Sequence, residues 1–223
     1  MDEEVHKPLF LLINRRKKMQ KYVRVYMTAW MLLFSVYTFA ATQEQLAQQQ
    51  LQQNVDAVLS VVRDKSLNEQ QRISQIERYA DQYLDYERIS ALAVGLPWRQ
   101  FTAQQRRDFS AAFKNMIVRI YAHSALMGAS NATVKVLPKV VNQGNNKLET
   151  FTEVVSGSNK HYTVGYQMYY SDGVFKIYNF RVNGTSLVTV YRSQFDQLIQ
   201  QQGIDAKIAQ LRDRGVGKIQ TKK

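Results

Sequence analysis

The chain has 223 residues, of which 45% are hydrophobic, with 13 Tyr, 10 Phe and only 3 Pro, so it can form one or two folded domains and is not a disordered chain. Cysteine is absent, which excludes thiol nucleophiles, disulfides and Cys-ligated metal sites. The formal net charge of +12 favours anionic partners, but from residue 41 onward the sequence shows no basic block of the kind found in nucleic-acid-binding arms, so we expect no nucleic acid partner.

The N-terminal forty residues have the pattern of an export signal. Residues 15–24 (RRKKMQKYVR) are strongly basic, residues 25–39 carry no charge, and the run ends in Thr38-Phe39-Ala40. A basic region, an apolar region of about 15 residues and a small-x-small end are typical of a secretory signal peptide. The sequence therefore predicts a signal peptide at residues 1–40, cleaved near Ala40, and one exported domain at residues 41–223.

An uncleaved membrane anchor is the competing interpretation of this segment. A spanning helix needs about 20 apolar residues, and Thr28, Ser35 and Thr38 weaken a run that is already short. No Cys follows the run, which excludes a lipoprotein anchor. Met19 begins a well-proportioned signal and is an alternative start, which would leave residues 1–18 upstream of the protein.

Three amphipathic helices are predicted first in the mature chain. One starts at the Gln-rich stretch near Glu44, with apolar residues at helical spacing. The second spans about residues 68–84 and the third about 86–95. The apolar positions of the first are Leu51, Val55, Val58 and Val62.

A longer helix follows from Thr102, which forms a predicted capping box with Gln105, and ends near Gly128. Its apolar residues recur at three- and four-residue spacing, which indicates one buried face. These residues are Phe109, Phe113, Met116, Ile117, Ile120 and Tyr121.

From Ala132 the apolar period changes from 3.6 to 2, which is typical of strands. Further strands are predicted at about 147–155, 160–170 and 173–182, joined by short turns that favour antiparallel hairpins. Helical periodicity returns after Gly184. The order predicts an α+β fold in which an antiparallel sheet of about four strands packs against several helices.

The third predicted strand alternates most clearly. Tyr162, Val164, Tyr166, Met168 and Tyr170 share one face. Tyrosine has an apolar body and a polar tip, so a wall of such residues suits a pocket that is apolar inside and wet at its mouth. The same pattern also fits an ordinary filled core, and both interpretations stay open.

The mature chain contains no recognisable catalytic set. Its histidines, His123 and His161, belong to no metal-binding spacing, and no G-x-S-x-G, P-loop or G-x-G-x-x-G motif occurs. We therefore predict that the protein is not an enzyme and has neither a metal ion nor a cofactor.

Two blocks of the chain resemble the MlaC family, also called the toluene-tolerance auxiliary family. The first, residues 86–122, contains Val94-Gly95-x-x-Trp98, Thr102-x-x-Gln105-Arg106 and Phe109-x-x-x-Phe113. The second, residues 175–205, has the matching residues Gly184, Ser186, Leu187, Tyr191, Arg192 and Phe195. The resemblance covers about Val55 to Leu211. Departures from the family pattern occur at Phe175, Asn179 and Asn183, where the family usually has Trp and acidic residues.

This resemblance implies a periplasmic phospholipid carrier that holds lipid tails between sheet and helices, with phospholipid as cargo. It implies exchange between an outer-membrane lipoprotein–porin complex and an inner-membrane ABC transporter with a lipid-binding ring, which maintains outer-membrane lipid asymmetry. The residues expected to bind lipid are Phe109, Phe113, Ile117, Tyr121, Val134, Val136, Val164, Tyr166, Met168, Tyr178, Phe180, Leu187 and Tyr191.

Two other functions remain as alternatives. One is an enzyme with a cone-shaped α+β fold that acts on a small apolar substrate, which would require an acid or a histidine in the pocket. The other is an interaction protein without a ligand.

We predict that the mature protein begins at Ala41, because Thr38 and Ala40 occupy the small-residue positions of the cleavage site. N-terminal sequencing of the periplasmic protein checks this. Protein with an intact Met1 or Met19 in a membrane fraction would contradict it.

Overall fold

The structure, a computed structural model, describes residues 41–129 and 131–216. The predicted signal peptide lies outside the described residues. Among those that are described, no helix has both the length and the apolar character needed to cross a membrane. The helices are α1 (Gln43–Arg63), α2 (Glu69–Tyr83), α3 (Tyr86–Val94), α4 (Ala103–Ala129), α5 (Leu187–Gln202) and α6 (Ile204–Val216), with a 3₁₀ turn at Leu96–Gln100.

The strands form a single antiparallel sheet in the order β1-β2-β3-β4-β5. This confirms the predicted α+β fold, and the strands predicted at about 147–155, 160–170 and 173–182 lie within one residue of the observed ones. The two-residue β5 was not predicted, because it is too short to show a period of two. The strands are β1 (Thr133–Gly144), β2 (Lys147–Val155), β3 (His161–Ser171), β4 (Val174–Val182) and β5 (Thr185–Ser186).

Three helices begin with the same capping device. The side chains of Thr42, Asn68 and Thr102 each accept a hydrogen bond from the backbone N–H of the residue three positions later. That residue is a glutamine in each case, and its side-chain oxygen accepts a hydrogen bond from the backbone N–H of the capping residue. Such a cap contributes about 1 kcal/mol and fixes where the helix starts. The first residues of α1, α2 and α4 are therefore determined by local sequence.

The Gln-rich start of α1 is bonded to the backbone of the sheet. The Gln48 amide donates to the Leu137 carbonyl over 3.1 Å. The Gln50 side chain both donates to the Phe175 carbonyl, over 2.7 Å, and accepts from the Phe175 N–H, over 2.8 Å. These glutamines satisfy strand backbone groups, and Ala47, just before Gln48, is fully buried against the sheet. The low-complexity stretch is thus a structural part of the domain.

The helices have an aromatic core of their own. The Phe113 ring lies 5.0 Å from that of Phe195 and 5.8 Å from that of Phe109, measured between ring centroids. The Phe109 and Phe195 rings meet edge to face at 5.4 Å. All three side chains are buried, and edge-to-face pairs add to the free energy of burial. This aromatic core joins α4 to α5 and, through further apolar residues, to α3 and α6.

A bulge in β4 changes which side chains face the helices. Gln167 pairs with Asn179, but the next residue, Met168, pairs with Ile177, so Tyr178 is the extra residue. The alternation of β4 therefore shifts by one residue at this point. We call the side of the sheet that carries Val164 and Phe180 the inner face, and the opposite side the outer face.

On the outer face a buried carboxylate lies across β3. Glu149 is 3% exposed, and its Oε2 atom lies 3.3 Å from both the Arg181 guanidinium and the Gln143 amide. Its other oxygen lies over Gly165, where a side-chain Cβ would collide with it. The glycine is therefore required by this close approach.

We predict that Gly165→Ala destabilises the protein by about 1–3 kcal/mol, because the new methyl group displaces the Glu149 carboxylate. In a Glu149→Ala background the same change should cost much less. Urea unfolding of the four variants of this double-mutant cycle measures the difference. An equal cost in both backgrounds would contradict the account.

Candidate functional site

A cavity of about 570 Å³ lies between the inner face of the sheet and the helices α2 and α4. This is within the range of about 300–1,000 Å³ that is usual for small-molecule pockets. The helical wall consists of Ile76, Ala80, Ile117, Val118, Tyr121 and Ala122, and the strand wall of Val134, Val154, Tyr162, Val164, Tyr166, Phe180 and Val182. Leu84, Ala132, Ser156 and Leu187 complete the lining from positions next to these elements or at the start of α5.

The periodicities of the strands and of α4 bring the lining residues of the cavity together. Tyr162, Val164 and Tyr166 alternate along β3, so their side chains leave the sheet on the same face. On α4, Ile117 and Tyr121 are four residues apart and share one stripe of the helix. A strand face and a helix stripe, both apolar, thus form opposite walls.

The cavity opens where its lining is exposed. Tyr121, Tyr162 and Val182 are 43%, 36% and 45% exposed, whereas the other lining residues are buried or half-buried. The mouth therefore lies between α4 and the adjacent ends of β3 and β4. Tyr121 and Tyr162 lie at this mouth, and each combines an apolar ring with a polar hydroxyl group.

Polar groups in the lining are few. The Tyr166 hydroxyl lies 3.1 Å from the Thr152 hydroxyl, and burial raises the Tyr166 pKa, so the phenol stays protonated. Burial and the neighbouring Tyr191 hydroxyl raise the pKa of Tyr121. The lining contains no acid, histidine, lysine or arginine. The part of the chain that is described also has no group of three or more His, Asp or Glu that could hold a metal ion.

Several of the residues expected from the sequence are brought together in this cavity. They come from α4, from three of the strands and from the start of α5. The set is Ile117, Tyr121, Val134, Val164, Tyr166, Phe180 and Leu187.

The aromatic residues at the start of the same α4 face lie elsewhere. Phe109 and Phe113 are buried in the aromatic core, where the Phe113 ring also contacts that of Tyr191 at 5.1 Å. These three were expected in the pocket, but that part of the helix packs on α5 instead of facing the sheet. Met168 is on the predicted face of β3, yet it is 1% exposed and packed among Ala47 and other apolar residues.

The remaining two expected residues also lie outside the cavity lining. The bulge turns Tyr178 to the outer face, where its hydroxyl donates to Gln143 over 3.1 Å. Val136 keeps the register of Val134 and is half-buried on β1, but it does not line the cavity. The bulge is not visible in a simple period of two.

Sequence reasoning also missed residues that line the cavity. Val182 follows Phe180 at a period of two, and Ala122 follows Val118 at a period of four, so the same patterns could have found them. Ile76 and Ala80 lie on the apolar face of α2, but nothing local indicates that this face reaches the sheet.

A family model and a solved structure are similar to the chain. A family model described as MlaC protein matches residues 52–213. The fold is similar to that of a phospholipid-binding protein from Ralstonia solanacearum, solved in complex with a phospholipid. The TM-score is 0.68 at 23% sequence identity, and the match covers 76% of this chain and 97% of that one. No curated protein sequence matches the chain.

We predict that Phe113→Ala and Phe180→Ala differ in cost. Phe113 is 1% exposed in a filled core, so its loss leaves a new void and should cost about 3–5 kcal/mol. Phe180 is half-buried beside an existing cavity, so its loss should cost about 1–2 kcal/mol. Chemical denaturation measures both, and equal costs would contradict the placement of the cavity.

Proposed function

Because the chain belongs to the MlaC family, we propose that its mature part is a periplasmic phospholipid carrier without enzymatic activity. In this proposal it moves lipid between the outer membrane and an inner-membrane ABC transporter, and so helps to maintain the lipid asymmetry of the outer membrane. The observation that carries the proposal is the apolar cavity between α2, α4 and the sheet.

The physical requirement for carrying a lipid is an apolar replacement for the membrane. Each methylene that leaves an apolar environment for water costs about 0.8 kcal/mol, so acyl chains need a continuous apolar lining. The cavity provides one, with Val164 on the sheet and Ile117 on α4 at opposite sides. The mouth residues Tyr121 and Tyr162 suit the boundary between tails and headgroup, since each has an apolar body and a polar tip.

The similar fold of the Ralstonia solanacearum protein supports the same assignment. That protein was solved with a phospholipid bound. The lining of the cavity described here has no charged side chain, which fits the tails of such a ligand and leaves the headgroup near the mouth.

The proposed location and partners rest on the N-terminal signal pattern, the charge of the chain and the family. The signal pattern before Ala41 favours export. From Ala41 onward the chain has 23 Lys and Arg against 15 Asp and Glu, or +8, which favours acidic or anionic partners. The partners proposed from the family are the lipid-binding ring of the transporter and the outer-membrane lipoprotein–porin complex.

The enzyme alternative finds no support in the cavity. General acid–base or nucleophilic catalysis needs a positioned acid, base or activated nucleophile. The lining offers only the hydroxyl groups of Ser156 and the three tyrosines, without a histidine or a carboxylate beside them. A binding function is therefore the better account of the site.

Extraction of the purified protein with organic solvent tests the proposal. We expect mass spectrometry of the extract to detect phospholipid in an amount comparable to that of the protein. A well-folded protein that yields no phospholipid, and takes up none from vesicles, would overturn it.

We predict that Val164→Asp leaves the protein folded but strips it of phospholipid. Val164 faces a cavity that water can enter when it is empty, so the new carboxylate can stay hydrated, yet it repels acyl chains. Met168→Asp is the matched control, because Met168 is on the same strand and face but lies in a filled core. That change should cost several kcal/mol and unfold the protein.

Circular dichroism and lipid extraction on the same samples separate the two effects. A folded Val164→Asp protein with a full lipid load would contradict the cavity assignment, and an unfolded one would indicate an ordinary core at this position.

A further inference from the structure

The outer face of the sheet, on the side opposite the cavity, is exposed in part. Lys135, Lys139 and Thr163 are all exposed there. Lys135 pairs with Glu153 across the strands, and the Lys139 ammonium group lies 4.9 Å from the centre of the Phe151 ring. Residues at these positions alternate with inner-face residues, so this surface cannot take part in the cavity.

Three carboxylates on this side of the sheet are already engaged. Glu149 lies 3.3 Å from Arg181, and Glu153 lies 3.2 Å from the ring nitrogen of His161. Asp85, at the start of α3, accepts from the Tyr169 hydroxyl over 2.6 Å and from the Arg88 backbone N–H over 2.9 Å. These acids are therefore tied into the protein's own structure.

Three cations of the same face lie over aromatic rings instead of beside acids. The Arg88 guanidinium is 4.2 Å from the centre of the Tyr169 ring, and the Lys147 ammonium group is 6.0 Å from that of Tyr178. Lys139 has the same relation to Phe151. Among the described residues, none of these three cations has a carboxylate within ion-pair distance. Cation–π contacts hold a charge in place without neutralising it.

A recess adjoins this set of cations. It has a volume of about 410 Å³ and is bordered by Arg88, Trp98 and Tyr169, together with Asp85, Glu87 and Ala91. Because Asp85 and the exposed Glu87 border it, the recess suits an uncharged or aromatic side chain of a partner, while the carboxylates of that partner contact the cations beside it. The outer face therefore has both cations that could bind carboxylates and a recess that could hold a side chain.

We propose that the outer face is a docking surface for an acidic protein segment, whose carboxylates meet Arg88, Lys139 and Lys147. A bilayer fits less well, because docking of this face on a membrane would place the sheet between the membrane and the cavity. The biological purpose of the contact rests on the proposed carrier function, since it would hold a partner while the cavity on the other side keeps its lipid.

The test uses a fluorescent poly-glutamate peptide and the mature protein with its bound contents. The face variant reverses the three cations named in the proposal: Arg88→Glu, Lys139→Glu and Lys147→Glu. The control variant reverses three exposed cations on the helices and the α1–α2 loop: Lys65→Glu, Arg78→Glu and Arg107→Glu. Both variants change the net charge by the same amount, so a difference between them reports position and not total charge.

We expect the affinity for the peptide to fall about tenfold or more in the face variant and less than about twofold in the control. Raising the salt concentration should remove most of this difference. A variant with Gln at the same three outer-face positions should lose affinity to a smaller degree. Equal losses in the face and control variants would overturn the docking surface.

Two further measurements distinguish the docking of an acidic segment from membrane binding and from the carrier function. Vesicles of equal parts phosphatidylglycerol and phosphatidylcholine replace the peptide in a parallel assay, and a loss confined to vesicle binding would overturn the choice of a protein partner. Circular dichroism and lipid extraction on the variants should match the unaltered protein. Lipid content is thus scored apart from peptide binding, so the docking surface and the carrier function can fail independently.

Discussion

The position of α4, which forms most of the helical wall of the cavity, is fixed by apolar packing on other helices more than by packing on the sheet. The first part of α4 is buried in the aromatic core through Phe109 and Phe113. Its later part packs through Val118 and Ala122 on α1 and α2, against Val61, Val62 and Ile76. Because α4 finds apolar partners at both ends among other helices, it can span the inner face without filling the space below. The cavity is the consequence.

The bulge at Tyr178 serves both faces of the sheet. Without it, Tyr178 would lie on the inner face two residues before Phe180, opposite Met168, and Phe175 and Ile177 would point to the outer face. With it, Phe175 and Ile177 enter the inner-face cluster around Met168, which closes that end of the sheet. Tyr178 moves to the outer face, where Arg88 and Lys147 lie over its ring. One inserted residue thus determines which side chains of β4 lie on each face of the sheet.

Patterns of short range predicted much of this structure. The period of two in β3 placed Val164 and Tyr166 on the inner face, and the four-residue spacing on α4 placed Ile117 and Tyr121 on one stripe. The capping box at Thr102 predicted the start of α4. Each of these depends on residues within about four positions of one another, which is the range over which sequence periodicity carries information.

Features that depend on distant residues could not be predicted in this way. No Gly or Pro marks the bulge at Tyr178, so an unbroken alternation was the natural expectation. The α4 stripe was assigned to one partner, whereas Phe113 packs on Phe195, some eighty residues later in the chain, and Tyr121 faces the sheet. The apolar residues on one face of a helix indicate that this face is buried, but they do not indicate which element packs against it.

The open mouth bears on how such a site could release its cargo. A sealed apolar cavity would bury every methylene, and at about 0.8 kcal/mol each the sum for two acyl chains would make escape extremely slow. Here Tyr121, Tyr162 and Val182 leave one side of the cavity exposed. A partner that covers this side with its own apolar surface could take over the lipid tails one methylene at a time, without exposing all of them to water. In the proposed function, the exposed mouth therefore limits affinity enough for a lipid to be passed on.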